Sequence, residues 1–261
     1  MDVFIWSGVL VSWRALAGRL IAMSNLHRRV EPEVLDSLAP LDPTALRARR
    51  DLRRVHVAMR SLSILKRAIG GLALEAPPRR ILEIGAGDGS LLLRLARSFG
   101  SKWANVELTL LDRVDVVDAK TRREYQKLGW SVEVCCDDVF SWADAPAGIT
   151  YDLCVSTLFV HHFEESLLAR LLHAVAKRTN AFVACEPRRD PLSRLSSRCI
   201  GLIGGNAVTR EDAVKSVDAG FNGRELSDAW RNAGGAWIVR EHRAFPFSHV
   251  FSAVRECAPI A

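Results

Sequence analysis

The residues able to do chemistry gather at four places in the 261-residue chain. The first is Ile81-Leu82-Glu83-Ile84-Gly85-Ala86-Gly87-Asp88-Gly89-Ser90, an apolar run that breaks into alternating glycines and opens an amphipathic stretch. Glycine at 85, 87 and 89 lets the backbone turn sharply and approach a ligand, because a Cβ there would clash or forbid positive φ. Free N–H groups at the start of the next helix suit polar or anionic groups. Dinucleotide-binding turns are spaced GxGxxG, whereas this one is GxGxG with Glu83 two residues before the first glycine. A carboxylate at Glu83 would repel a pyrophosphate and attract the cationic amino end of a bound amino acid, directly or through water. The second place is Asp112, followed by Arg113, 23 residues beyond Gly89. At that distance an acidic side chain reaches both ribose hydroxyls of a nucleoside lying over the turn. The third is Asp137-Asp138-Val139-Phe140, where one carboxylate can accept from an adenine amino group between apolar neighbours; Asp138 is favoured and Asp137 stands next. The fourth is Thr157-Leu158-Phe159-Val160-His161-His162-Phe163. His161 or His162, titrating near neutral pH, can deprotonate a phenol or enol, or the pair can cap or pack against the helix that follows. A metal site is not expected, since adjacent histidines on a turn point apart and no third ligand is evident.

The elements that must position these residues alternate short apolar runs with amphipathic segments, the pattern of a parallel sheet covered by helices. Strands are expected over residues 80–84, 107–111, 132–135, 151–156 and 181–185, with helices over 90–99, 113–128 and 164–178. Residues 236–244 and 249–255 suggest a final antiparallel pair, preceded by a Gly- and Ser-rich stretch over 193–206 and a helix over 223–233. Ahead of the first strand, Ala48, Leu52, Val55, Met59, Leu62, Leu65 and Ile69 share one helical face. One helix is therefore expected from an Asp42 N-cap with Pro43 behind it to Gly70-Gly71. Arg47, Arg50, Arg53, Arg54 and Arg60 form its other face, which is either solvated or attractive to an anionic substrate or surface.

Glu83, the glycines, Asp112 and Asp138, in this order and each at a strand end, resemble the class I S-adenosylmethionine-dependent methyltransferases. The resemblance spans roughly residues 81–186 and extends weakly to the C-terminus. It implies an α/β fold with a Rossmann-like, mostly parallel seven-stranded sheet of order 3-2-1-4-5-7-6, strand 7 antiparallel, with helices on both faces. It implies a helical extension over residues 1–78 that covers the substrate cavity, and a methyltransferase domain over 79–261. S-adenosyl-L-methionine would then be held by Glu83, Gly85, Ala86, Gly87, Gly89, Asp112, Arg113, Asp137, Asp138, Val139 and Thr157. Residues 157–163 are similar to the small-molecule branch that includes quinone-biosynthesis and polyketide-associated enzymes. The expected acceptor is phenolic, quinol-like or polyketide-like, methylated on oxygen or carbon. Adenine N-methyltransferases carry a Pro-Pro-aromatic motif after strand 4, and Ser156-Thr157-Leu158-Phe159 lacks it.

Further along, Glu186 either lines the active site or is a polar strand end. Arg188 and Arg189 either hold an acidic group or face solvent. Six cysteines without CxxC or Cys/His pairing indicate neither a disulfide framework nor a zinc site, and a reducing, cytoplasmic setting fits. Residues 3–13 are apolar but shorter than the roughly 20 residues needed to span a bilayer. An amphipathic helix packed on the domain, peripheral membrane contact, or an over-long start before Met23 remain open, as does a monomer or homodimer. A formal charge of +6 is modest for the length. The basic helix from Arg47 to Arg67 keeps an RNA substrate as a minor alternative beside a nicotinamide-dependent oxidoreductase and a non-catalytic nucleoside-binding protein.

Overall fold

A computed structural model describes residues 27–39, 41–146 and 148–256. The N-terminal apolar run and Met23 lie outside the described residues. The strands β1 (Arg80–Ile84), β2 (Glu107–Asp112), β3 (Ser131–Cys136), β4 (Leu153–Thr157) and β5 (Ala181–Pro187) all run parallel. β6 (Trp237–Ala244) and β7 (Ser248–Arg255) follow, and β7 runs antiparallel between β5 and β6. The result is a seven-stranded sheet of order β3-β2-β1-β4-β5-β7-β6, as expected. Every residue of β4 and β5 is buried, which is why these strands carry no alternation. Edge strand β6 alternates instead, and the exposed Arg240, His242 and Arg243 guard it against further pairing.

Ten helices are used below in chain order: α1 (Val34–Ser37), α2 (Pro43–Ala58), α3 (Ser61–Gly70), α4 (Ser90–Phe99), α5 (Ala119–Lys127), α6 (Val139–Asp144), α7 (Glu165–Arg178), α8 (Pro191–Ser197), α9 (Ala207–Ala219) and α10 (Glu225–Trp230). One apolar layer joins the sheet to α3 and α4 through Leu65, Ile69, Leu92 and Leu95, against Ile81 and Leu108. The opposite layer joins it to α7 and α10 through Leu171, Leu172, Leu226 and Trp230, against Leu82 and Phe182.

The single helix expected over 43–69 is two. Asp42 caps α2 by accepting from the Thr44 and Ala45 N–H groups, but Arg60 takes a left-handed φ of 58° and breaks the run. The apolar face survives the break, because Ala48, Val55, Met59, Leu65 and Ile69 are all buried. Helices α6, α8 and α9 were not foreseen, and the helix expected over 113–128 begins only at Ala119, where Asp118 accepts from the Thr121 N–H. No helix among the described residues is long and apolar enough to cross a membrane.

Candidate active site

The carboxyl ends of β1, β2 and β4 open into one cavity of about 1090 Å³. Its floor is the glycine turn. The Gly85 and Ala86 N–H groups donate to the Leu111 carbonyl at 2.9 and 3.2 Å, pinning the turn to β2. Gly85, Gly87 and Gly89 all have positive φ. Gly85, Ala86, Gly87 and Asp88 line the cavity; Gly89 does not. Gly89 instead packs behind the turn, where its carbonyl accepts from the Tyr125 hydroxyl at 2.8 Å, so its place is structural.

Glu83 lies 4% exposed at the cavity wall, and its Oε2 has no hydrogen-bond partner. Burial, reinforced by the charges of Asp88 and Asp112, pushes its carboxyl well above the ordinary range. A buried carboxyl without a partner is costly unless a donor or cation comes to it. Asp112 accepts from the Gly87 N–H at 2.8 Å and from the Val114 N–H at 3.2 Å, tying the tip of β2 to the turn. Arg113 points to the rim and pairs with Asp36 at 2.9 Å. Asp137 and Asp138 reach the cavity from the end of β3. Asp138 caps α6 by accepting from the Phe140 N–H at 2.8 Å, Asp137 accepts from the Asp138 N–H, and Val139 is buried against the cavity. Thr157 ends β4 inside the cavity with its Oγ1 unpartnered.

His161 and His162 sit on a 3-10 turn after β4, and their rings lie 4.4 Å apart. They converge rather than splay. Glu33, from the segment ahead of α1, lies between them: its Oε1 is 3.4 Å from His161 Nε2 and its Oε2 3.8 Å from His162 Nε2. The two expectations behind the absence of a metal site, diverging histidines and a missing third ligand, are thus both overturned. The turn recloses on a short-range 3-10 bond while Glu33 arrives from 128 residues away. On its other side His161 Nδ1 meets Glu186 Oε2 at 2.7 Å. Glu186 is fully buried and accepts from the Phe159 and Val160 N–H groups. Burial alone would lower the His161 pKa, but the hydrogen bonds and charges of Glu186 and Glu33 raise it to about 9. Both ring nitrogens of His161 therefore face carboxylates, and acting as a base would require Glu33 to withdraw. Glu186 is neither a cavity-lining group nor an idle strand end; it anchors the histidine turn from behind.

Arg188 and Arg189 are both engaged within the protein. Arg188 pairs with Asp190 and donates to the Pro246 carbonyl, while Arg189 is buried against Glu225 and the Gly220 carbonyl. The basic face of α2 is partly used internally, with Arg53 on Asp88 at 2.6 Å and Arg54 on Asp51 at 2.6 Å. Cys154 and Cys185 are buried in strands, Cys135 is half-buried, and all five described cysteines are unpaired.

The remaining walls come from Leu52, Val55 and His56 of α2, from Met59 just after it, and from residues 193–217, including Cys199, Ile200, Ile203 and Val217. His56, whose pKa burial lowers to about 4, escaped the sequence reading because it interrupts no pattern. The 193–217 wall escaped it because polar Thr209 and Asp212 occupy buried positions of α9.

Residues 81–181 match the model of a methyltransferase domain. That match covers the segment holding β1 to β4, and the strand order is the one that the resemblance to class I methyltransferases implies. No curated protein matches it. Among solved structures it is similar to an O-methyltransferase family protein from Burkholderia thailandensis, at 14% identity and a TM-score of 0.57 over 82% of this chain and 60% of that one. It is similar to the pyocyanin biosynthetic protein PhzM, at 16% identity and a TM-score of 0.54 over 86% and 62%. It is also similar to magnesium protoporphyrin IX methyltransferase from Synechocystis PCC 6803 with bound SAH, at 12% and 0.50 over 85% and 91%. These likenesses establish the fold. The chain spans less than two thirds of the length of the first two.

Proposed function

We propose that this protein transfers a methyl group from S-adenosylmethionine to a small, largely apolar acceptor of phenolic, quinol-like or polyketide-like type, at oxygen or carbon. The observation that carries the reading is Glu83. A buried, partnerless carboxyl facing a cavity beside a positive-φ glycine turn is a site for the cationic amino group of an amino acid. Asp112 would hold the ribose hydroxyls, Asp138 or Asp137 the adenine amino group, Val139 the ring face, and Gly85, Ala86 and Gly87 would let the ligand lie against backbone. Thr157 would meet the methionine portion, with Arg113 closing the rim. S-adenosylmethionine supplies an electrophilic methyl group when bound, so the chain's own task is positioning and exclusion of water.

At about 1090 Å³ the cavity is at the upper end of ligand pockets and has room for a nucleoside and an acceptor together. Residues 30–38 and 48–59 on one side and 193–217 on the other would enclose the acceptor in a mostly aliphatic chamber. His161 and His162 would face its reacting atom. Two of the basic residues that kept an RNA substrate in view, Arg53 and Arg54, are engaged by Asp88 and Asp51, which favours the small acceptor. Similar structures include one with bound SAH and one named as pyocyanin-biosynthetic. The unpaired cysteines fit a reducing cytoplasm.

Calorimetric titration with S-adenosylmethionine, S-adenosylhomocysteine and NADH tests the reading. The first two are expected to bind with micromolar affinity and NADH not at all. Binding of NADH alone, or of none of the three, would overturn it.

A further inference from the structure

The geometry points to a divalent transition-metal site, of the zinc or iron(II) class, formed by Glu33, His161 and His162 on the acceptor side of the cavity. One ligand atom from each residue can be chosen so that all lie within 4.8 Å of one another. Ligands about 2.1 Å from a common ion lie roughly 3 to 3.5 Å apart. The Glu33-to-histidine distances, 3.4 Å from Oε1 to His161 and 3.8 Å from Oε2 to His162, lie near that range.

A second observation is independent of that spacing. Each histidine presents Nε2 to Glu33 and has a further carboxylate on Nδ1: Glu186 at 2.7 Å for His161 and Asp36 at 3.2 Å for His162. A metal-bound imidazole characteristically offers its other ring nitrogen to a carboxylate, which fixes the tautomer and aims the free nitrogen. Here two neighbouring imidazoles are aimed in this way at one shared carboxylate. Glu186 is itself held by two backbone N–H groups, and Asp36 by Arg113 at 2.9 Å, so neither support is loose.

The rival account is a buried ion-pair cluster in which protons take the place of the ion. It explains the contacts of each histidine singly, but it does not require both Nε2 atoms to converge on the same carboxylate. Two imidazoles and one carboxylate suit zinc, iron(II) and similar borderline ions and disfavour magnesium and calcium, which prefer oxygen. Three protein ligands leave coordination positions open, and Glu33, His161 and His162 all line the cavity. An oxygen of the acceptor would occupy one of them. The ion would also bind the segment carrying Glu33 to the end of β4. The role given to the ion rests on the methyltransferase reading; its binding does not.

The test uses the full chain, stripped with a chelator and titrated with zinc chloride, and in parallel with cobalt(II), whose absorption spectrum reports nitrogen and oxygen coordination. One equivalent per chain is expected. Glu33→Ala and His162→Ala should weaken zinc binding by at least tenfold, and Asp36→Asn, at the half-exposed outer carboxylate, by about tenfold or more. S-adenosylhomocysteine binding to the stripped wild-type protein is measured alongside. Zinc binding that is absent, or unchanged in Glu33→Ala and His162→Ala, overturns the metal site even if S-adenosylhomocysteine binds. Stoichiometric zinc binding sensitive to these variants sustains the site even if S-adenosylhomocysteine does not bind, in which case only the methyltransferase reading falls.

Discussion

In the proposed site Glu83 would link cofactor binding to pH. Burial, with the charges of Asp88 and Asp112, raises its carboxyl well above the ordinary value of 4.5, so the fold favours the protonated form. The unfolded chain ionises near 4.5, and above that pH the fold holds more protons than the unfolded state. The contribution of this group to stability is therefore greatest below that value and is lost as pH rises toward the folded pKa. A cation seated on Glu83 reverses the preference and expels the proton. S-adenosylhomocysteine affinity should rise with pH across that window, with proton release measurable by calorimetry in buffers of different ionisation enthalpy. Glu83→Gln should abolish the release; a release unchanged in that variant would remove Glu83 from the site. Asp112→Ala should weaken the same ligand by at least about 1.5 kcal/mol, roughly tenfold, the scale of lost charged hydrogen bonds. The glycines divide differently. An alanine Cβ at Gly85 would meet the Phe159 ring at 2.4 Å, whereas at Gly87 it would meet nothing within 4 Å and project from the cavity floor. Gly85→Ala should cost about 2 to 4 kcal/mol in thermal or urea unfolding, combining a left-handed side-chain penalty with overpacking. Gly87→Ala should cost only about 1 kcal/mol of stability and act mainly on ligand affinity.

At the scale of elements, the sheet and the glycine turn were legible and the cavity's outer wall was not, for one physical reason. Parallel strands buried on both faces leave uninterrupted apolar runs such as Leu153-Cys154-Val155, and α4 begins and ends where its pattern does, at Ser90–Phe99. Helix α9 carries Thr209 and Asp212 at buried positions because its inner face meets a polar segment, so no apolar period announces it. Glu33 stands in Glu31-Pro32-Glu33 with no local pattern, and its partner lies 128 residues on. Periodicity across 43–69 correctly gave the buried face but concealed the break, since α2 and α3 keep their apolar sides together across Arg60. That break stores strain: a non-glycine residue with φ of 58° costs about 1 to 2 kcal/mol. Arg60→Gly should recover up to about 1 kcal/mol after the extra freedom of glycine in the unfolded chain is subtracted. A lower melting temperature would show that the Arg60 side chain contributes more than its backbone costs.

At the scale of the described molecule, the segment that lines one side of the cavity is fastened apart from the sheet. Residues 27–38 make no strand and join no apolar layer; they are held by polar contacts from different parts of the chain. Arg28 donates to the carbonyls of Ala219, His161 and Phe163 at 2.8 to 2.9 Å. The Val34 and Leu35 N–H groups donate to the Asp212 carboxylate at 2.7 and 3.0 Å, and Lys215 donates to the Pro32 carbonyl at 3.1 Å. Asp212 thus caps α1 from a distant helix and does what no residue of the short α1 does for itself. Removing it strands two partly buried donors, worth about 1 to 3 kcal/mol, yet leaves every strand pairing in place. Asp212→Ala should therefore loosen residues 27–38 by roughly tenfold or more in amide exchange, while exchange in β1, β4 and β5 stays as in the wild type. Because Glu33 lies in that segment and Glu83 does not, the same variant should weaken zinc binding and leave S-adenosylhomocysteine binding nearly intact. Exchange rising uniformly through the sheet would mean that the cover and the domain unfold as one unit, and that the polar contacts over the cavity are part of the core's stability.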